Sequence, residues 1–172
     1  MGDQIKAKRK VLVAGATGVV GRRLLPRLVE AGYDAVGTTR DPAKASLLQG
    51  LGARPIVVDA FDRDGLLAVF RAERPEFVIH QLTDLAQRDL AANARVRIEG
   101  TRNLVDAAQA VGVRRMVAQS IAFAYAPGEG PAREEEPLDL DAPSPRRDTA
   151  RGVQALEQAV AELPEGVVLR YG

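Results

Sequence analysis

The stretch KVLVAGATGVVGRRLLPRL, residues 10–28, decides how this chain folds. Four apolar residues, Val11 to Ala14, read as a buried strand. Three glycines spaced by three follow, Gly15, Gly18 and Gly21, and apolar residues then return at helical spacing at Val20, Leu24, Leu28 and Ala31. Strand, tight glycine turn and helix in that order make a site for the phosphates of a dinucleotide. Gly15 lets the chain leave the strand at dihedrals other residues avoid, and Gly18 lets backbone amides approach a pyrophosphate. Gly21 lets the helix sit close to the sheet. Thr17, Val19 and Val20 belong to the same turn and are expected to line the site with the glycines. The spacing is G-x-x-G-x-x-G rather than the commoner G-x-G-x-x-G, so the setting between strand and helix carries the reading.

Outward from this unit the pattern repeats. Strands are expected at Ala35–Thr39, Pro55–Asp59, Phe77–His80, Arg114–Gln119 and Val167–Arg170, with Lys10–Ala14 as the first. Helical stretches fill the gaps. Asp41-Pro42 opens one that ends by Gly50 or Gly52, and Asp62 or Asp64 caps another reaching about Ala72. The longest runs from about Leu90 to Val111. Asp148 or Thr149 caps the last, whose stripe is Val153, Leu156, Val160 and Leu163. Pro26 within the first helix predicts a kink near Arg22 or a later helix start. Six strands alternating with helices require a parallel sheet covered on both faces. The fold class is therefore α/β, a doubly wound Rossmann sheet of order 3-2-1-4-5-6. Residues 121–147, rich in proline and glycine and carrying Glu134 to Glu136, read as a long loop: a lid, a binding segment or a disordered connector.

Composition excludes several chemistries. The 172 residues suit one domain, with residues 1–9 frayed. There is no cysteine and one histidine, which removes disulfides, thiolate metal sites and histidine clusters. A net charge of +1 from 24 basic and 23 acidic residues argues against a nucleic-acid or membrane surface. No apolar run spans a bilayer and the N-terminus lacks a signal-peptide core, so a cytoplasmic location is the default.

Ligands of such sheets bind past the carboxyl ends of the strands. Arg40 stands past the second strand, where a guanidinium complements the 2′-phosphate of NADP and an acidic side chain would prefer NAD; adjacent Asp41 leaves NAD open. Asp59 and Ala60, past the third strand, are expected at the adenine, or Asp59 merely ends the strand. Gln81 and Leu82, past the fourth, complete the cofactor contacts. His80 is either a packing residue or a catalytic one, and Ser120 and Tyr125 are the candidate catalytic hydroxyls.

With these positions in hand, the chain resembles the extended or atypical branch of the short-chain dehydrogenase/reductase family, the NAD(P)-dependent epimerase/dehydratase group. The resemblance rests on GATGVVG at 15–21, Asp59, VIH at 78–80, GTRNLVDAA at 100–108 and GVRRMV at 112–117. The segment from Ser120 to Tyr125 is similar to the family's serine-loop-tyrosine signature, although counting back four from Tyr125 reaches Ile121. The family implies a Tyr-x-x-x-Lys pair on the helix after the long loop. Here Thr149 and Val153 occupy the best-matching places, and Arg97 replaces the asparagine that often opens the N-x-x-G-T motif. The resemblance also implies a small substrate domain after the sixth strand, which this stretch does not include. Two readings result: an NADP- or NAD-dependent oxidoreductase or epimerase/dehydratase domain acting on an unidentified small molecule, and a non-catalytic dinucleotide sensor or scaffold of the same fold. A homo-oligomer is compatible with both.

Overall fold

The structure, a computed structural model, describes residues 8–85 and 89–172. Six parallel strands form one sheet: β1 (Lys10–Ala14), β2 (Asp34–Thr39), β3 (Arg54–Val57), β4 (Phe77–His80), β5 (Arg115–Ile121) and β6 (Glu165–Tyr171). Their order is β3-β2-β1-β4-β5-β6, as the alternating pattern predicts. Strand β1 lies at the centre, with Val11 opposite Ala35 of β2 and Leu12 opposite Val78 of β4. Its residues from Val11 to Ala14 are at most 1% exposed. A strand covered on both faces has no polar side, which is why it reads as a continuous apolar run.

Alternation along β1 feeds two cores. Val11 and Val13 pack with Leu25 and Leu48 on the side of helices α1 (Val19–Glu30) and α2 (Ala45–Gly50). Leu12 packs with Leu66, Phe70, Leu104, Met116 and Leu156 on the other side. That face is covered by α3 (Arg63–Glu73), α5 (Thr101–Ala110) and α6 (Arg146–Ala161). Helix α5 continues a shorter helix, α4 (Leu90–Arg95), through a π-turn at Val96–Gly100.

Several local expectations shift. The buried stripe of α1 is Gly21 and Leu25 with Leu28 and Val29 beside it, one position from the expected series, because close packing of Gly21 sets the helix rotation. The helix starts at Val19 with Pro26 inside it; Pro26 and Arg22 lie on the exposed face, where the carbonyl left without a helical donor is open to solvent. Strand β3 ends at Val57, and the Asp59 carboxylate turns back to accept from the Phe61 N–H at 2.9 Å. Strand β5 runs two residues further than expected, so Ser120 lies within it and is fully buried. Helix α6 begins at Arg146, with no side-chain cap from Asp148 or Thr149; Asp148 instead accepts from the Ser144 hydroxyl at 2.6 Å.

The edge strand β3 is short and carries Pro55, a residue tolerated in sheets where an N–H partner is not needed. The segment 121–147 is tied down by a bridge between Tyr125 and Leu138. The Ala126 N–H donates to the Pro137 carbonyl at 2.8 Å and the Asp139 N–H to the Ala124 carbonyl at 2.9 Å. No helix among the described residues is long and apolar enough to cross a membrane.

Candidate functional site

The carboxyl ends of β1, β2, β3 and β4 open onto one cleft of about 500 Å³. At its floor Gly15 has φ +82°, and a Cβ there would stand 2.4 Å from the Gln81 carbonyl oxygen. A Cβ on Gly21 would meet the Gly15 and Ala16 carbonyls at 2.5 and 2.6 Å. Both positions need glycine for space, and Gly15 also for its dihedral. Helix α1 points its N-terminus into the cleft. Gly18 offers no side-chain cap and the first turn holds no acid, so its free amides and positive dipole end face the cavity unneutralised. An anion such as a pyrophosphate fits this cradle.

Every expected cofactor residue borders this cleft: Gly15, Thr17, Gly18, Val19, Val20 and Gly21 at the turn, Arg40, Asp59 and Ala60 on one side, Gln81 and Leu82 on the other. Ala60 is held by the Asn103 side-chain amide, which donates to its carbonyl at 2.9 Å. Gln81 is 6% exposed, and its side-chain oxygen has no hydrogen-bond partner. An orphaned buried acceptor on a cleft wall suits a ligand donor.

The structure adds residues that the sequence reading passed over. Lys44 and Asp84 also line the cleft beside Arg40. Arg40 pairs with Asp84 at 3.3 Å and Lys44 with Asp41 at 3.6 Å. The signal for Lys44 was its place one turn beyond Arg40; Asp84 had none, since its segment reads as plain loop. Phe61 and Gln119 also line it, with the Arg95 guanidinium 4.2 Å over the Phe61 ring.

His80 closes the end of β4 and is fully buried. Its Nδ1 accepts from the Leu82 N–H at 3.2 Å, so the proton sits on Nε2, which lies 2.8 Å from the Thr101 hydroxyl. Burial, with Arg97 nearby, pushes its pKa down to about 4. A neutral ring with both nitrogens engaged orients the Gln81–Leu82 turn; it is the packing residue of the two readings.

Ser120 and Tyr125 do not border the cleft. The Ser120 hydroxyl donates to Glu157 of α6 at 2.7 Å, and Arg170 of β6 donates to both oxygens of the same carboxylate at 2.9 and 2.7 Å. Burial pushes the Glu157 carboxyl up, but the bonds from Arg170 and Ser120 and the Arg170 charge outweigh it, holding the group below its usual range. The Arg170 guanidinium lies 4.6 Å over the Tyr125 ring and donates to the Glu134 carbonyl at 3.0 Å. These contacts join β5, α6, β6 and the long loop. Thr149 and Val153 are both buried on α6.

The model of the NAD dependent epimerase/dehydratase family matches residues 11–171. The chain belongs to this family. A 3-diazoavenalumate denitrifying reductase from a Streptomyces species is 47% identical over 172 residues, covering 95% of this chain and 55% of the relative. Cinnamoyl-CoA reductase 1 of rice is 36% identical over 118 residues, 64% of this chain and 33% of that protein. The chain thus spans about half the length of the Streptomyces relative and a third of the rice one. Among solved structures, the Bordetella bronchiseptica enzyme WbmG in complex with NAD and UDP superposes with a TM-score of 0.80 at 22% identity, over 95% of this chain and 53% of that one, a likeness of fold. The family is NAD-dependent and the relatives include reductases, so the reading as an epimerase/dehydratase-like or reductase-like domain stands ahead of the non-catalytic sensor or scaffold.

Proposed function

We propose that this chain is the dinucleotide-binding part of an NADP-dependent reductase whose substrate carries a diazo group. The observation that carries the reading is the 47% identity to the Streptomyces reductase across nearly the whole chain. Helix α6 supports it from chemistry: Thr149 and Val153 stand where the family's proton-transfer pair is expected, and neither shuttles a proton at neutral pH. Reduction of a ketone leaves an oxyanion that needs such a pair. Replacement of an aryl diazonium group by hydrogen does not: a C–N bond breaks, a C–H bond forms, dinitrogen leaves, and one hydride balances the charge.

A bound dinucleotide would supply that hydride. The chain's own residues hold and orient it. The amides of Val19, Val20 and Gly21 would take the pyrophosphate, and Asp59, Ala60 and Phe61, which line the same cleft, would border the adenine. Arg40, with Lys44 beside it, takes the 2′-phosphate in exchange for the Asp84 and Asp41 carboxylates. Gln81 offers its free oxygen to a donor on the nicotinamide half. On this reading Ser120 and Tyr125 brace the framework through Glu157 and Arg170 and transfer no proton.

The test is calorimetric titration with NADPH and NADH, followed by incubation of the natural full-length protein with NADPH and an aryl diazonium salt. The expected result is tighter binding of NADPH, with NADPH oxidation matched by dinitrogen release above a protein-free control. Ketone reduction without dinitrogen release would overturn the substrate class, and failure to bind either dinucleotide would overturn the whole reading.

A further inference from the structure

Arg97 is the one charged side chain among the described residues that is fully buried, at 4% exposure. Its Nη1 has no hydrogen-bond partner and no described carboxylate pairs with it. The acids of its own helix are taken: Glu99 accepts from Arg95 at 2.9 Å and Asp106 from Arg102 at 2.8 Å. The adjoining face of α6 presents Thr149, Ala150 and Val153, all buried and all uncharged. His80, on the strand side, is neutral. A lone guanidinium thus sits in the interior, desolvated enough that burial pulls its pKa below the usual value.

Its place along the helix points to the ligand end of the sheet. The stretch from Leu90 to Ala110 links two parallel strands, β4 and β5, so it runs back from their carboxyl ends. Thr101 meets His80 at the tip of β4. Arg97 lies four residues earlier, about 6 Å further out along the axis, beyond the strand ends where ligands of such sheets bind. Val96, next to it, lines the cleft, and Arg97 itself lies behind that lining.

We propose that Arg97 is the receptor for a carboxylate on the small molecule handled at the nicotinamide end of the cleft. The proposal deepens the reductase reading and rests on it for the identity of that end. An unpaired buried cation destabilises the free fold, and removing it for an apolar side chain of similar length relieves the penalty. A planar carboxylate matches the guanidinium fork with two parallel hydrogen bonds and returns the missing charge. The anion is then recognised by a group that water does not screen.

Thermal unfolding with benzoate, and with neutral benzamide as control, tests this on the wild type, R97M and R97K. Without ligand, R97M is expected to melt about 3 °C or more above the wild type. Benzoate at roughly tenfold its Kd should raise the wild-type Tm by about 3 °C, R97K by less, and R97M not at all. Benzamide should shift none of them. A destabilised or insoluble R97M would make the guanidinium structural and overturn the proposal. So would the absence of any benzoate shift in the wild type, an equal shift in R97M, or an equal shift with benzamide. Dinucleotide titration is read separately: failure of the wild type to bind NADPH or NADH sinks the reductase reading, whereas a benzoate response confined to Arg97 speaks only to the receptor.

Discussion

The phosphate end of the cleft and the framework beyond the cleft at β5, α6 and β6 are built from different materials. At the phosphate end the walls are backbone: Gly15, Gly18 and Gly21 remove side chains so that amides and carbonyls define the surface. Outside the cleft, the framework is side chains: Ser120, Glu157, Arg170 and Tyr125 interlock across four elements, and His80 bridges β4 to α5. A backbone site tolerates no change of shape but is indifferent to most chemistry around it. A side-chain framework can be re-equipped residue by residue.

The sharpest way to break the contrast is at Gly15. G15A places a methyl group 2.4 Å from the Gln81 carbonyl at a positive φ. Dinucleotide binding should be lost and stability should fall by about 4 kcal/mol, read by calorimetry and urea unfolding. Retained binding would mean that the turn is not the phosphate cradle. In the side-chain framework, E157A leaves the Arg170 guanidinium and Ser120 hydroxyl without the carboxylate they share. It should cost about 3 kcal/mol in chemical denaturation while dinucleotide Kd changes little. A large loss of affinity with unchanged stability would instead place this network in the site.

His80 gives a pH signature. Its folded pKa, about 4, lies below the 6.5 of the unfolded chain, so unfolding takes up a proton between those values. Stability should therefore fall as pH drops from 6.5 toward 4, by up to roughly 3 kcal/mol from this group alone. Urea unfolding of wild type and H80Q across that window should show the slope shrinking in the variant. The smallest effect is expected at the cleft's rim. R40A removes an exposed cation, and NADPH affinity should weaken about tenfold while NADH affinity holds within twofold. Equal losses for both would remove Arg40 from the 2′-phosphate.

This contrast also explains what was legible beforehand. The sheet order and the glycine turn follow from apolar runs and glycine spacing, because backbone geometry is written locally. Strand β4 was placed at its observed bounds since Pro75 and His80 frame four residues tightly. The misplacements fall where tertiary contacts decide. Ser120 belongs inside β5 because seven residues of β6 pair along it, and α6 starts at Arg146 because the loop delivers the chain there. Arg97 was visible only as a departure from a motif; its meaning needs burial and the missing partner, which spacing does not encode.

Pro55 carries one more implication. A sheet edge offers a row of free donors and acceptors onto which another strand can add. On β3 that row is four residues long, lacks one donor at Pro55, and begins at Arg54, which is paired to Glu73 and Asp34. A strand arriving from another molecule finds too few bonds to nucleate and must strip ions to make them. This flank of the sheet is a stop signal against cross-β growth, set in the residues that also bring the chain to the adenine side of the cleft.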